Sequence, residues 1–454
     1  MRQRLSLAVA FALVFTGAWS PEPSAAVRPP KLQYELMTLP NGLTVILSED
    51  HSTPIVHLQL WYHVGSKNEK PGRTGFAHLF EHLMFKGSRN VEPEGHTSLV
   101  SSVGGQANAY TEDDVTVFWE TVPSQYLPLI LWLEADRMAT LRIDQESFAN
   151  EREVVKEERR MRVDNQPYGR LSEIIYDQAF STHPYKHTTI GSMQDLAAAS
   201  VDDVRNFYNT FYVPENATLT LVGDFDPGTA KELLNEYFGR VPKAGQPVPR
   251  DIPKEPPQTR ERRITLDAPW PLPAVVVAHH ITHDGNPDSY PLHIVSKVLS
   301  DGQTSRIYKK LVYEKRLAVA AFGGANLIED PNLFYAVAIV QPGQTPQAAI
   351  DALIEELDRL KSEPITDQEL QRTKNQFARD YILGRESNQQ KAGQLAHAVV
   401  IHGDIATADG EFEIFQNITK ADVQRVARTY FTPENRLVIT LQPGRPGAAA
   451  PVGR

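Results

Sequence analysis

Thr210-Phe211-Tyr212-Val213-Pro214-Glu215-Asn216 returns further along the chain as Thr429-Tyr430-Phe431-Thr432-Pro433-Glu434-Asn435. The offset is 219 residues with no gap, and it also aligns Asp203-Val204 with Asp422-Val423. Each copy leads into a strand-like run, residues 219–222 and 437–441. A shared helix end, turn and strand at one fixed offset marks a duplicated unit rather than coincidence. Between the copies, residues 242–263 carry Pro247, Pro249, Pro253, Pro256 and Pro257. That density of proline suits neither a helix nor a central strand, so the stretch is expected to be a linker. The expected organisation is a first half at 27–241, the linker, a second half at 264–446 and a short tail at 447–454.

Local patterns supply the elements of each half. Residues 32–39 and 43–48 flank the turn Pro40-Asn41-Gly42 and predict a hairpin. Residues 56–64 and 115–122 alternate like strands. Thr74 is expected to cap a helix running to Lys86, and 126–141 predicts another. Hairpins and segregated helices without a βαβ rhythm point to an α+β fold, present twice.

Composition narrows the function. The 454 residues are 41% hydrophobic and 22% charged, with a formal net charge of -10 that argues against nucleic acid and anionic membranes as partners. There is no cysteine, which excludes disulfides, thiolate metal sites, a cysteine nucleophile and a lipid-modified N-terminal cysteine. Any metal must be held by histidine and carboxylates. Arg2 and Arg4, the apolar residues 5–19 and Ser24-Ala25-Ala26 make residues 1–26 an expected signal peptide, cut after Ala26. The apolar run is short for a membrane anchor, and no later stretch is long enough to span a bilayer. The remainder is expected to be soluble and exported, into a bacterial periplasm.

The chemistry concentrates in Phe76-Ala77-His78-Leu79-Phe80-Glu81-His82-Leu83-Met84-Phe85, which contains H-x-x-E-H. Histidines at i and i+4 share one helix face, one turn apart, where both imidazoles reach a single ion. Glu81 points to the same face and can serve as a base. The order is the reverse of H-E-x-x-H, with the same parts on a helix of opposite direction. An ionisable triplet inside an apolar helix is costly unless it is paired or holds a metal. A catalytic zinc usually takes three protein ligands and leaves one position open, so a third ligand is needed. The helix Glu151-Arg152-Glu153-Val154-Val155-Lys156-Glu157-Glu158 offers two candidates. An inward stripe of Val154, Val155 and Met161 favours Glu158 over Glu157 without deciding between them.

These features resemble the M16 (pitrilysin/insulinase-type) zinc metallopeptidases, the inverzincin group that includes mitochondrial processing peptidases. Members follow H-x-x-E-H with a ligand Glu in an E-R-x-V-x-x-x-E helix, and here 75 residues lie between His82 and Glu158. Leu39-Pro40-Asn41-Gly42-Leu43, Phe85-Lys86-Gly87-Ser88, the segment from Gly104 through Thr111 and the Pro-Glu-Asn repeats match as well. The resemblance implies two M16/LuxS-like domains, each a mostly antiparallel sheet covered by helices. It implies one Zn2+ per chain on His78, His82 and Glu158, with Glu81 catalytic and Glu151 supporting. It further implies a substrate edge at Ala107, Asn108 and Ala109, where a peptide adds as an extra strand. The reaction implied is endopeptidase cleavage of peptides or unfolded segments in an enclosed chamber. A non-catalytic scaffold or assembly subunit is the alternative, opposed by the complete ligand set. His279, His280 and His283 have no matching carboxylate pattern, so no metal is expected in the second half.

One departure bears on partners. Active members place an Arg and a Tyr in a second-half segment to which Ser305-Arg306-Ile307-Tyr308-Lys309-Lys310-Leu311-Val312 aligns. Here Val312 stands for the Arg and Val319 for the Tyr. The chain is therefore expected to work as a dimer, with a second M16-like chain supplying those side chains.

Overall fold

Short runs rich in Val, Leu and Ile build two sheets, and the two share a plan. The computed structural model of the chain describes residues 28–444, so the expected leader and tail lie outside the described residues. The first sheet comprises β1 (Glu35–Thr38), β2 (Thr44–Glu49), β3 (Ile55–Tyr62), β4 (Gln106–Thr111), β5 (Thr116–Pro123) and β6 (Ala217–Gly223), in the order β1-β2-β6-β3-β5-β4. The second comprises β7 (Arg262–Ala268), β8 (Ala274–His280), β9 (Ala318–Ala325), β10 (Leu333–Val340) and β11 (Arg436–Pro443), in the order β7-β11-β8-β10-β9. Removing β1 superposes the two orders. The one parallel pair in each, β2 with β6 and β7 with β11, falls at the same place. β3 and β8, like β6 and β11, begin 219 residues apart. The fold is α+β and duplicated, as expected.

The helices that matter are α1 (Phe76–Leu83), α2 (Leu127–Thr140), α3 (Gln145–Arg159), α4 (Leu171–Ala179), α5 (Val201–Phe211), α6 (Ser289–Ser300), α7 (Pro346–Ser362), α8 (Asn388–Val400) and α9 (Lys420–Tyr430). The duplicated helices α5 and α9 start from the same device. Ser200 and Thr419 each accept from the N–H three residues on, while Asp203 and Asp422 accept from the cap N–H. These reciprocal bonds satisfy two otherwise unpaired backbone donors at each helix start. The turns beyond them also agree. Asn216 donates to Phe211 O and His63 O, and Asn435 to Tyr430 O and His280 O.

Each sheet is covered on one face by helices of its own half. Leu79, Phe80, Leu83, Ile130, Leu131 and Val155 pack on the first; Val295, Val298, Leu353 and Val426 pack on the second. The opposite faces are covered reciprocally. Leu171, Ile174 and Ile175 of α4, from the first half, lie with Val276, Val337 and Ile439 of the second sheet. Leu395, Ala396 and Ala398 of α8, from the second half, lie with Ile46, Trp61 and Val117 of the first.

One boundary and one helix cap differ from the expectations. The stretch 242–263 contains no helix, but β7 already starts at Arg262 and the rest is pinned down. Arg250 donates to His63 O, Glu255 accepts from the N–H groups of Ser181, Thr182 and His183, and Gln258 donates to Glu434 O. Thr74 does not cap α1. The cap position is Gly75, at φ 89, and the Thr74 hydroxyl donates to Asp195 instead. The free N–H groups of Gly75 and Ala77 go to the carboxylate of Glu69 at 2.9 and 2.8 Å. A carboxylate there also suits the positive end of the helix dipole. His187 holds Glu69 in turn, at 2.9 Å.

Candidate metal centre

α1 sorts its side chains by face. Leu79, Phe80 and Leu83 are fully buried, each contributing ~1.5–3 kcal/mol through removal from water. Phe80 stacks on the ring of Tyr208 on α5 and meets that of Tyr212, just beyond it, at a 40° tilt with centroids 3.9 Å apart. That anchoring leaves His78, Glu81 and His82 on the opposite, half-buried face. α3 lies against this face and brings Glu158 to it.

The expected inward stripe of α3 is only partly right. Val155 is buried, but Val154 and Met161 are exposed. The buried residues are Phe148, Glu151, Val155 and Arg159, and beyond Arg159 the chain widens into a π turn, Arg160–Asp164. A π turn adds a residue to the turn, so three-residue spacing stops predicting the face at Met161. Buried Arg159 anchors this end of the helix, donating to Gly191 O at 2.6 Å and to Glu173 at 3.0 Å. Gly191 touches Gly75 so closely that a Cβ on it would lie 2.4 Å from the Gly75 backbone. The two glycines allow this segment to sit on the start of α1, which ties together the two helices that carry the candidate ligands. Sequence spacing alone carried no signal for Arg159.

The three candidate ligands converge. Glu158 Oε2 lies 3.4 Å from His82 Nε2 and 3.7 Å from His78 Nε2. The two imidazoles cross nearly at right angles with centroids 4.9 Å apart. Tetrahedral bonds of ~2.0–2.1 Å to zinc separate two ligand atoms by roughly 3.3 Å, so the spacing suits such an ion. Glu157 is on the solvent side, paired with Arg160.

Neighbouring groups act on the candidate ligands. Glu151 Oε2 is 3.3 Å from His82 Nδ1 and its other oxygen 3.1 Å from Lys86 Nζ. A carboxylate there fixes the hydrogen on Nδ1 and turns the Nε2 lone pair towards Glu158. Burial and the nearby His82 hold His78 down to about 4, so its ring is neutral and able to ligate near pH 7. Burial also lowers His82, but its contacts with Glu151 and Glu158 outweigh this and raise it. Burial raises the Glu81 carboxyl, against the pull of a 2.6 Å hydrogen bond from the Thr111 hydroxyl. Thr111 ends β4, which pairs with β5 alone and is the edge of its sheet. Ala107, Asn108 and Ala109 lie on that edge. Asn108 is exposed within the strand, not in a turn, and its side-chain oxygen accepts from Ala109 N–H at 2.9 Å.

Elsewhere, Val319 on β9 is exposed and Val312 is half-buried against the second core. His187 is committed to Glu69 and Ser66 O, and Tyr313 is exposed and bonds Gln303. Among the described residues, no helix is long and apolar enough to cross a membrane.

Residues 44–192 match the family profile described as Insulinase (Peptidase family M16), and residues 198–377 the profile described as Peptidase M16 inactive domain. The chain is 31% identical over 414 residues to the zinc protease PqqE of Helicobacter pylori, spanning 90% of this chain and 93% of that one. It is 24% identical over 401 residues to the mitochondrial-processing peptidase subunit beta of Saccharomyces cerevisiae, spanning 85% and 86% respectively. The crystal structure of a protease from Helicobacter pylori superposes with a TM-score of 0.86 at 31% identity, covering 91% of this chain and all of that one.

Proposed function

The chain belongs to the M16 (insulinase) peptidase family, and from that premise we propose that it is a zinc-dependent endopeptidase whose base is Glu81. The observation that carries this reading is the convergence of His78, His82 and Glu158 at zinc spacing, with Glu81 on the same face of α1. His78, His82 and Glu158 would hold the ion, and Glu151 would orient His82. Bound there, zinc supplies Lewis acidity, making a water acidic near pH 7 and polarising a peptide carbonyl. Glu81 takes the proton from the attacking water and returns it to the leaving amine. Thr111 holds Glu81 at the end of the edge strand, so a peptide paired along Ala107 to Ala109 passes beside the base. Main-chain pairing tolerates many sequences, which suits peptides and unfolded segments. Glu81→Gln is expected to retain zinc and lose at least ~10²-fold in peptide hydrolysis. Near-normal turnover by a zinc-replete Glu81→Gln protein would overturn the assignment.

The reading extends to a partner and a compartment. Val312 and Val319 leave the second half without the family's Arg and Tyr, and a missing oxyanion donor typically costs ~10²–10³ in rate. A second M16-like chain facing this one would supply them and enclose the cleft. The yeast relative is by its name a subunit, which fits. The expected place of action is the bacterial periplasm. The test is the mass and specific activity of the isolated chain. A monomer or homodimer with full activity, unchanged by a co-expressed relative, would exclude the heterodimer.

A further inference from the structure

Three clusters among the described residues bring histidine nitrogens and carboxylate oxygens within 4.8 Å of one another. One is the centre on α1. Another, His96 with Glu120 and Glu134, is wholly buried and already holds a cation. Arg137 pairs with both glutamates and stacks on Phe118, 4.4 Å from the ring centroid. The last joins Asp284, between β8 and α6, to His397 in α8 and His402 just past its end. Among the described residues, no lysine or arginine forms a salt bridge with any of those three side chains.

Hydrogen bookkeeping at this cluster is informative. The Thr407 hydroxyl donates to Asp404 O at 2.7 Å, so towards His402 Nδ1, 3.0 Å away, it can only accept. Nδ1 therefore carries the ring hydrogen, and in the neutral imidazole the Nε2 lone pair is free. That lone pair faces Asp284 Oδ2 at 3.2 Å, and His397 Nε2 faces the same oxygen at 3.3 Å. Asp284 Oδ1 is occupied by the Gly285 N–H. The His402 Nε2 lone pair and Asp284 Oδ2 are both acceptors, and they repel unless a positive charge lies between them, either an extra proton or a metal ion.

The geometry repeats that of the first centre. The His397 and His402 rings lie 4.9 Å apart at 79°, against 4.9 Å and 83° for His78 and His82. The oxygen–nitrogen separations are close to the roughly 3.3 Å that tetrahedral zinc imposes. Thr407 stands behind His402 as Glu151 stands behind His82. Burial raises the carboxyls of Glu411 and Glu112, and the histidines nearby pull both back down. We propose that Asp284, His397 and His402 form a second zinc site, which clamps α8 to the body of the second half. α8 is the helix whose apolar face rests on the first sheet, so the ion fixes the element that bridges the halves. This goes beyond the hydrolytic reading and does not depend on it.

The test uses the full chain, stripped of metal and titrated with Zn2+. Wild type is expected to bind two equivalents. His78→Ala/His82→Ala is expected to keep one, with a dissociation constant below about 1 µM and a thermal midpoint raised by at least about 2 °C. Adding His402→Gln should abolish that equivalent. Since His78→Ala/His82→Ala leaves this cluster intact, the result does not require a second-site variant to fold. The proposal is overturned if His78→Ala/His82→Ala binds no zinc below about 1 µM, or if His402→Gln leaves its binding unchanged. Failure of the α1 centre alone would look different, as one equivalent lost through His402→Gln and not through His78→Ala/His82→Ala.

Discussion

Glu151→Gln should weaken zinc binding without removing a ligand. The Glu151 side chain is only 8% exposed, so water screens it little, and it contacts both His82 Nδ1 at 3.3 Å and Lys86 Nζ at 3.1 Å. A hydrogen bond to a charged group is worth ~1.5–3 kcal/mol, and ~1.4 kcal/mol corresponds to a factor of ten. The zinc dissociation constant should therefore rise ~10–100-fold. The upper end is favoured because a glutamine amide can present N–H to Nδ1, which moves the ring hydrogen to the nitrogen that must ligate. The assay is competition against a chelator of known affinity, with the melting temperature of the zinc-free protein as control. Glu157→Gln, with its side chain 58% exposed and paired with Arg160, should stay within about twofold of wild type. If Glu151→Gln binds zinc as tightly as wild type, the carboxylate does not orient His82 and the proposed order of parts is wrong.

Glu158→Gln should lose zinc far more severely than Glu151→Gln, and metal analysis of the purified protein decides it; retention of a full equivalent would remove Glu158 from the ligand set. Thr111→Val should leave zinc content unchanged and lower kcat about tenfold, since one hydrogen bond that positions Glu81 is gone; an unchanged kcat in steady-state assays would show that Thr111 plays no part. Asp50, which Lys391 of α8 holds at about 2 against an ordinary 3.8, should show its contribution in acid. A depressed carboxyl stabilises the fold above its unfolded value and stops doing so as pH falls through about 2. Urea unfolding should therefore find Asp50→Asn less stable by about 2 kcal/mol at pH 7 and by about half that at pH 3, whereas a difference that persists undiminished at pH 3 would contradict the ion pair.

What the sequence disclosed followed from distance along the chain. The pair His78 and His82 is legible because a helix converts a four-residue spacing into adjacency. The duplication is legible because 219 is a constant offset. The sequence favours Glu158 partly for a reason the structure does not uphold, since Met161 lies within the π turn and Val154 is exposed. Thr74 satisfied a local capping pattern, but Gly75 in a left-handed conformation took the position and Glu69 supplied the carboxylate from outside the helix. Thr111, Arg159 and the Asp284 cluster were hidden for a common reason. Thr111 meets Glu81 30 residues away, Arg159 meets Gly191 32 away and His402 meets Asp284 118 away, and His397 and His402 are five apart across a helix end, a spacing no helical face predicts.

The reciprocal placement of α4 and α8 resembles what remains when a domain-swapped homodimer is fused into one polypeptide. Each half buries its sheet with a helix on loan from the other, so neither is a self-sufficient folding unit. A single cut in the proline-rich segment 242–261 should leave the fragments associated, whereas either half expressed alone would expose a bare apolar sheet and aggregate. Fusion also freed the copies to diverge. The first carries H-x-x-E-H and the second does not, while the exchange of covering helices ties the two together regardless.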